Sequence, residues 1–94
     1  MYSSHMNVIW HNKKANTNIK DHKGVTFEEA ATCLDDPEAL VIEDPDSEGE
    51  QRFILIGMSI KIRILTVCYS VPDEDTIRII SARKSTAREG KSYA

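Results

Sequence analysis

Three β-rich runs follow one another closely after residue 51, and this succession constrains the fold more than any other feature of the sequence. The runs are Arg52 to Met58, Lys61 to Tyr69 and Thr76 to Arg83. The stretches between them, at Ser59-Ile60 and at Pro72-Asp73-Glu74-Asp75, are too short for a helical crossover. The sequence therefore predicts that these three strands form an antiparallel meander.

A helix is predicted ahead of the meander, from Asn12 to His22. Ala15, Ile19 and His22 are spaced so that they lie on one face of this helix. The apolar run from Val8 to Trp10 precedes it and either forms a first strand or anchors the core.

A second helix is marked by a capping signal. Thr26 and Glu29 are three residues apart and predict a capping box, in which each side chain bonds to the other residue's backbone amide. Asp36-Pro37 ends the helix, because the residue before a proline is disfavoured in the α region. Ala39 to Ile42 then predicts another strand. The predicted buried stripe of this helix consists of Phe27, Ala30, Ala31 and Leu34.

The chain closes with a predicted short helix from Ser85 to Tyr93, for which either Ser85 or Thr86 is the N-cap. The full pattern gives the order strand, two helices, four strands, helix. We therefore predict an α+β fold, a small antiparallel sheet packed with two N-terminal helices and a C-terminal helix. Simple alternation in the last strand predicts one face made of Ile77, Ile79, Ser81 and Arg83, opposite Arg78, Ile80 and Ala82.

The length of 94 residues suits a single domain. Residues 1–5 are interpreted as a possible cloning remnant, with residues 6–94 as the domain itself. The opening residues lack a secretion signal and no apolar run approaches the ~20 residues of a membrane span, so we expect a cytoplasmic protein with no membrane partner. Cys33 and Cys68 lie far apart without a CxxC or a histidine cluster, so neither a metal nor another cofactor is expected.

Charge is strongly segregated along the chain. Between Glu28 and Gln51 there are ten acidic residues and no Lys or Arg, whereas from Thr76 onward five basic residues accompany Glu89 alone. Such segregation permits a basic face that binds a polyanion even though the net charge is -3. The alternative is two surfaces of opposite charge that only favour solubility, and charge alone leaves both open.

A set of residues spread from Val8 to Tyr93 carries a resemblance to a known family. The set comprises Trp10, Lys14, Asn18, His22, Gly24, Phe27-Glu28-Glu29-Ala30, Asp36-Pro37, Asp44, Glu50, Arg52, Ile56-Gly57, Arg63, Ile77 to Arg83, Glu89 and Tyr93. In this pattern the chain resembles the BrnT family of toxins from bacterial toxin–antitoxin pairs. It departs from the family at Asp21-His22-Lys23-Gly24, where Lys-His-Gly is usual, and at Ile62-Arg63, where Gly-Arg is usual.

The resemblance implies a fold similar to the RelE-type ribonuclease toxins. It also implies an endoribonuclease that cleaves RNA without a metal and so stops translation. A cognate antitoxin of the ribbon-helix-helix kind would neutralise it, and DNA would be contacted only through the antitoxin complex. The alternative is a non-catalytic module, or degenerate toxin, that binds the antitoxin or a nucleic acid.

Phosphate and transition-state contacts are predicted for Arg63, Arg78 and Arg83, because the planar guanidinium matches two phosphate oxygens and stays charged. His22 is the candidate for proton transfer near neutral pH. Glu89 or Tyr93 is the candidate for a second acid–base or orienting group. The predicted RNA-binding residues are Lys14, Lys84, Arg88 and Lys91.

Two of these residues have a structural alternative that is equally expected. His22 lies near the end of a helix, where a capping or buried histidine is equally expected. Arg78 has the alternative of an ion pair with an acid between Glu28 and Glu50. Arg83, beside Lys84, is expected to contact RNA or the antitoxin.

Overall fold

Five strands form one sheet in a computed structural model that describes residues 6–46 and 49–93. The elements are β1 (Asn7–Trp10), α1 (Asn12–Asp21), α2 (Phe27–Cys33), β2 (Leu40–Glu43), β3 (Arg52–Met58), β4 (Ile64–Asp73), β5 (Thr76–Lys84) and α3 (Ala87–Ser92). The predicted element order and the α+β class are confirmed. The interpretation of residues 1–5 as a cloning remnant lies outside the described residues.

The strands are arranged in the order β1-β5-β4-β3-β2. From β2 to β5 each neighbouring pair is antiparallel, so the predicted meander is confirmed. The first strand pairs with β5 in parallel, with Val8 opposite Ile77, which the prediction of an antiparallel sheet did not include. Such a parallel pair needs a long connection, and both N-terminal helices lie within it.

One face of the sheet packs against α1 and α2 and forms the core. The buried apolar side chains of this core are Ala15, Val25, Phe27, Ala30, Cys33, Leu34, Leu55, Leu65, Val67, Tyr69, Ile77, Ile79 and Ala82. The predicted stripe of α2 is confirmed, with Phe27 and Ala30 fully buried. Cys33 and Cys68 are both free thiols.

The buried face of α1 differs from the prediction. Ile19 is exposed, while Asn18 is buried beside Ala15. The Asn18 amide donates to the carbonyl of Ala82 over 2.8 Å and accepts from the amide of Ala82 over 3.1 Å. Because β1 pairs with β5 only as far as Ile79, the Asn18 side chain takes the place of a strand beyond that point.

The two predicted caps differ in completeness. Thr26 caps α2 by accepting from the amide of Glu29, but the Glu29 carboxylate does not return to the cap, so the predicted capping box of α2 is wrong. In α3 the box is complete, since Thr86 accepts from the amide of Glu89 and the Glu89 carboxylate accepts from the amide of Thr86. Thr86, one of the two predicted candidates, is therefore the N-cap of α3.

A β-bulge in β5 changes which side chains share a face. Tyr69 lies opposite Ile79 and Cys68 lies opposite Ser81, so Ile80 has no partner residue in β4. The extra residue shifts the alternation, which places Arg78, Ser81 and Arg83 on the face opposite α1 and α2, and Ile77, Ile79 and Ala82 on the face that α1 and α2 cover. The predicted grouping of Arg83 with Ile77 and Ile79 is wrong for this reason.

The turn before β4 is longer than predicted. The strand begins at Ile64 rather than Lys61, because Ser59 and Arg63 close a turn in which the Ser59 amide donates to the Arg63 carbonyl over 2.8 Å. Ile62 lies in the left-handed region at a φ of 59°. The strand then continues to Asp73, so the next turn is shorter than predicted. No helix among the described residues is long and apolar enough to cross a membrane.

Candidate functional site

Arg63 lies at the β3–β4 turn and is bound to a buried carboxylate of α2. Its Nε donates to Oε2 of Glu29 over 2.9 Å, and its Nη2 contacts Oε1. Ser59 donates to the same Oε2 atom over 2.6 Å. The guanidinium of Arg63 lowers the pKa of Glu29 against the opposing effect of burial, with a smaller contribution from Ser59. Arg63 thus fastens the turn to α2.

Arg78 lies on the face of the sheet opposite α1 and α2 and pairs with Glu50. Its Nη1 donates to both carboxylate oxygens, over 2.8 and 2.9 Å. Both side chains remain partly exposed, Arg78 by 41% and Glu50 by 35%. The ion pair that sequence left as an alternative for Arg78 is therefore present, and it ties the acidic loop before β3 to β5.

Arg83 makes a two-point contact with Glu89 of α3. Nη1 donates to Oε1 over 2.7 Å and Nη2 donates to Oε2 over 2.8 Å. Thr66 of β4 and the amide of Thr86 also donate to the Glu89 carboxylate. Arg83, against an opposing effect of burial, lowers the pKa of Glu89 to about 2 with help from Thr86 and Thr66. The Glu89 carboxylate is consequently ionised at neutral pH and fixes the plane of the Arg83 guanidinium.

Tyr93 is directed to another part of the molecule. Its hydroxyl donates to Oδ2 of Asp36 over 2.6 Å, and the amide of Met58 donates to the same oxygen. This hydrogen bond raises the pKa of Tyr93 to about 12, together with burial and the charge of Asp36. Tyr93 lines a cavity together with Asp35 and Ile60. Tyr93 is thus a protonated anchor for the C-terminal helix.

Four of the predicted site residues meet in a groove between α1 and β5. The groove consists of two open cavities of about 360 and 300 Å³ that both include Asp21 and His22. The first also includes Lys14, and the second includes Arg83 and Lys84. We name this feature the α1–β5 groove; its lining residues are Lys13, Lys14, Thr17, Asn18, Asp21, His22, Lys23, Ile80, Ser81, Arg83 and Lys84.

The end of α1 places His22 at the meeting point of the two cavities. His22 is the C-cap of α1, and its amide donates to the carbonyl of Asn18. Lys23 and Gly24 follow in the left-handed region, with φ of 51° and 86°, and turn the chain away from the helix axis. Because the buried Asn18 amide binds Ala82, the last turn of α1 is held against the strand that carries Arg83.

The groove is strongly cationic. Four lysines and Arg83 line it with Asp21 as its one carboxylate among the described residues, and none of the lysines forms an ion pair there. Two basic walls with an imidazole between them suit a chain of phosphates. No group of three His, Cys, Asp or Glu side chains within residues 6–46 and 49–93 is arranged to hold a metal ion.

Arg88 and Lys91 lie exposed on α3, outside the lining of the groove. The sequence reasoning did not select Lys13, Lys23 or Asn18 for the site. The two lysines are ordinary surface residues by pattern, and only their positions next to Lys14 and His22 could have indicated them. Asn18 could have been found as a polar residue between apolar positions of α1, since a buried amide requires partners.

Two comparisons with known proteins yield a match. The family model described as "Ribonuclease toxin, BrnT, of type II toxin-antitoxin system" matches residues 10–89. A crystal structure of the Brucella abortus ribonuclease toxin BrnT superposes with a TM-score of 0.66 at 24% sequence identity, covering 86% of this chain and 97% of that one. At 24% identity, the superposition shows a similarity of fold alone. None of the curated proteins matches the sequence.

Proposed function

The chain belongs to the BrnT family of ribonuclease toxins of type II toxin–antitoxin systems, and from this we propose that it is a metal-independent endoribonuclease whose substrate binds in the α1–β5 groove. The position of His22 carries the proposal, because His22 lines both cavities, of which one includes Lys14 and the other includes Arg83 and Lys84. A histidine among basic side chains supports the assignment of proton transfer to this groove.

The reaction follows from what RNA itself provides. The 2′-oxygen attacks the adjacent phosphorus and the bond to the 5′-oxygen breaks, which leaves a 2′,3′-cyclic phosphate. The 5′-oxygen takes up a proton from water. His22 is assigned the removal of the 2′-hydroxyl proton, since histidine is the side chain that most often acts as a general base. The cationic walls stabilise the negative charge that develops on the phosphorane oxygens.

Arg83 is assigned the closest contact with the reacting phosphate, and Glu89 is assigned the role of a positioning residue. The carboxylate of Glu89 holds two nitrogens of the guanidinium and so limits its rotation. Lys14 and Lys84 bind the neighbouring phosphates, while Arg88 and Lys91 extend the basic surface along α3. Arg63, Arg78 and Tyr93 support the structure through their carboxylate partners.

Within the cell we propose that RNA cleavage blocks translation in the cytoplasm. A cognate ribbon-helix-helix antitoxin would neutralise the toxin, and DNA would be bound only through that antitoxin. The antitoxin partner itself accords with the type II system that the family description names.

Purified chain free of antitoxin should cleave single-stranded RNA in the presence of EDTA. His22→Ala should lower the rate by roughly 10²-fold or more, because general-base assistance contributes about that much. His11→Ala is the matched control, since His11 is exposed outside the groove and should leave the rate unchanged. Intact RNA at high concentration of folded wild-type chain would contradict the proposal.

A non-catalytic binding module is the second candidate, and the pairing of the arginines favours it. Arg63, Arg78 and Arg83 are each held by a glutamate, which offsets part of the positive charge that would stabilise a phosphorane. Tight and salt-sensitive RNA binding without cleavage would identify this function.

A further inference from the structure

The edge strand β2 is unusually apolar for its exposure. It has β3 as its neighbour on one side, and all four of its residues are exposed. Leu40, Val41 and Ile42 are exposed by 38%, 44% and 59%. Soluble proteins usually protect such an edge, and an apolar edge that is left open is a template for another strand.

Two residues of β2 direct their backbone groups outward. The amide of Asp44 donates to the carbonyl of Arg52, and Ile42 lies opposite Ile54. Hydrogen-bonding residues alternate along an antiparallel strand, so Val41 and Glu43 turn their N–H and C=O groups away from β3. The edge therefore offers donors and acceptors at regular spacing to an added strand.

The side chains next to this edge provide an apolar surface on the face of the sheet opposite α1 and α2. Leu40 lies opposite Ile56 and Ile42 lies opposite Ile54, and both partner side chains are only partly buried. Tyr93, at the end of α3, donates to Asp36 before the strand. An added strand would bury further apolar surface here.

The charge around β2 determines what kind of strand can be added. Asp35, Glu38, Glu43 and Asp46 are exposed before, within and after the strand. There is no Lys or Arg from residue 24 to residue 51. A second copy of this chain would bring the same carboxylates together across the new pair, which is unfavourable, whereas a cationic strand would be attracted.

We propose that the outer edge of β2 binds an extended, cationic and apolar segment of the cognate antitoxin as a sixth strand of the sheet. The proposal rests on the proposed function, since the antitoxin is the partner that such a toxin requires. Three strand spacings, about 14 Å, separate this edge from the strand of the α1–β5 groove. Docking at β2 and binding of RNA can therefore be measured separately.

Val41→Pro is the decisive variant. Proline removes the outward N–H of Val41 and is tolerated on an edge strand where that N–H does not bond within the sheet. Val41→Thr is the matched control, because it keeps the N–H and the β-branched shape. The probe is the antitoxin purified from the reading frame beside this chain's own, measured by titration against the full-length chain.

We expect Val41→Pro to weaken antitoxin binding about tenfold or more, and Val41→Thr to bind as the wild type does. Glu43→Lys should also weaken binding and lower its salt dependence. In the wild-type complex the amides of Val41 and Glu43 should become protected from hydrogen exchange. Equal affinity of the Pro and Thr variants, or unprotected amides, would overturn the proposal.

A dimer of the isolated wild type that Val41→Pro dissociates would also overturn it, because the occupant would then be a second copy. Thermal unfolding checks that the proline variant is folded. RNA cleavage by Val41→Pro should equal that of the wild type. If no variant cleaves RNA but the difference between Pro and Thr persists, the docking site stands and the ribonuclease assignment fails.

Discussion

Arg63 and Arg83 are held by the same kind of two-point contact with a glutamate, yet the two regions around them differ. At the β3–β4 turn the Glu29 side chain is 1% exposed, and a serine completes the contact. Beside the α1–β5 groove the Glu89 side chain is 23% exposed and Arg83 is 40% exposed. The carboxylate of the first pair is enclosed by the protein, whereas the arginine of the second pair lines an open cavity. The difference teaches that the surroundings of an arginine, more than its pairing, decide whether it can serve a ligand.

The largest expected effect is on stability at the turn. Arg63→Ala leaves the buried Glu29 carboxylate without its main partner, so we expect the free energy of unfolding to fall by about 3 kcal/mol or more. Arg83→Ala should cost only about 1 kcal/mol, because its partner keeps access to water. Urea unfolding of both variants measures the contrast. Equal losses would remove the distinction between the two regions.

The next effect concerns the acid stability that Glu89 provides. The pKa of Glu89 falls on folding from its ordinary value of 4.5 to about 2. A depressed pKa means that the carboxylate stabilises the folded chain above about pH 4.5 and that this contribution is lost as the pH falls toward 2. We expect it to be about 2 kcal/mol after allowance for solvent screening.

Glu89→Gln tests this by thermal unfolding across pH. The variant should be less stable than the wild type at pH 7, and the gap should close between about pH 5 and pH 2. A gap that stays constant over this range would show that the ionised carboxylate contributes nothing beyond its shape.

A smaller effect is expected on RNA binding at the groove. Lys84→Ala should weaken binding of a non-cleavable RNA several-fold, to about tenfold at most. The slope of the logarithm of the binding constant against the logarithm of the salt concentration should become about 0.7 less steep. Lys20→Ala is the matched control, since Lys20 is exposed on α1 outside the groove. Fluorescence anisotropy at several salt concentrations measures both. Equal slopes for the two variants would place the RNA elsewhere.

The smallest effect is a gain at the turn. Ile62 adopts a φ of 59° and is 79% exposed, so it carries the cost of a left-handed backbone without burying its side chain. Ile62→Gly should therefore raise the free energy of unfolding by about 1 kcal/mol, since glycine adopts this conformation readily. Calorimetry would show the higher melting temperature. A loss of stability would mean that the exposed isoleucine makes a contact worth more than the strain.

Local patterns predicted the elements well because their causes lie close in sequence. The short turns specify a meander, and Thr86 with Glu89 specifies the start of α3. The groove was predictable only in part. Arg83 and Lys84 are neighbours in sequence, but His22 reaches them because Asn18 binds Ala82 across 64 positions.

Two errors in the prediction have specific physical causes. The Glu29 carboxylate had a local partner available at the cap and instead binds Arg63, 34 positions away. No glycine or proline marks the bulge at Ile80, so alternation alone assigned Arg83 to the wrong face. In the first case a tertiary contact overrides a local preference, and in the second case no local residue type signals the bulge.

The bulge at Ile80 also makes the length of β5 part of its specification. Even-numbered residues before the bulge and odd-numbered residues after it point to the same face of the sheet. Arg78 and Arg83 therefore share a face although they are five positions apart. Removing one residue here would leave the composition almost unaltered and would rotate the end of the strand by half a turn. Arg83 would then point into the helix-covered core, and Ala82 would point to solvent. The strand is thus far less tolerant of insertion and deletion than of substitution at Ile80.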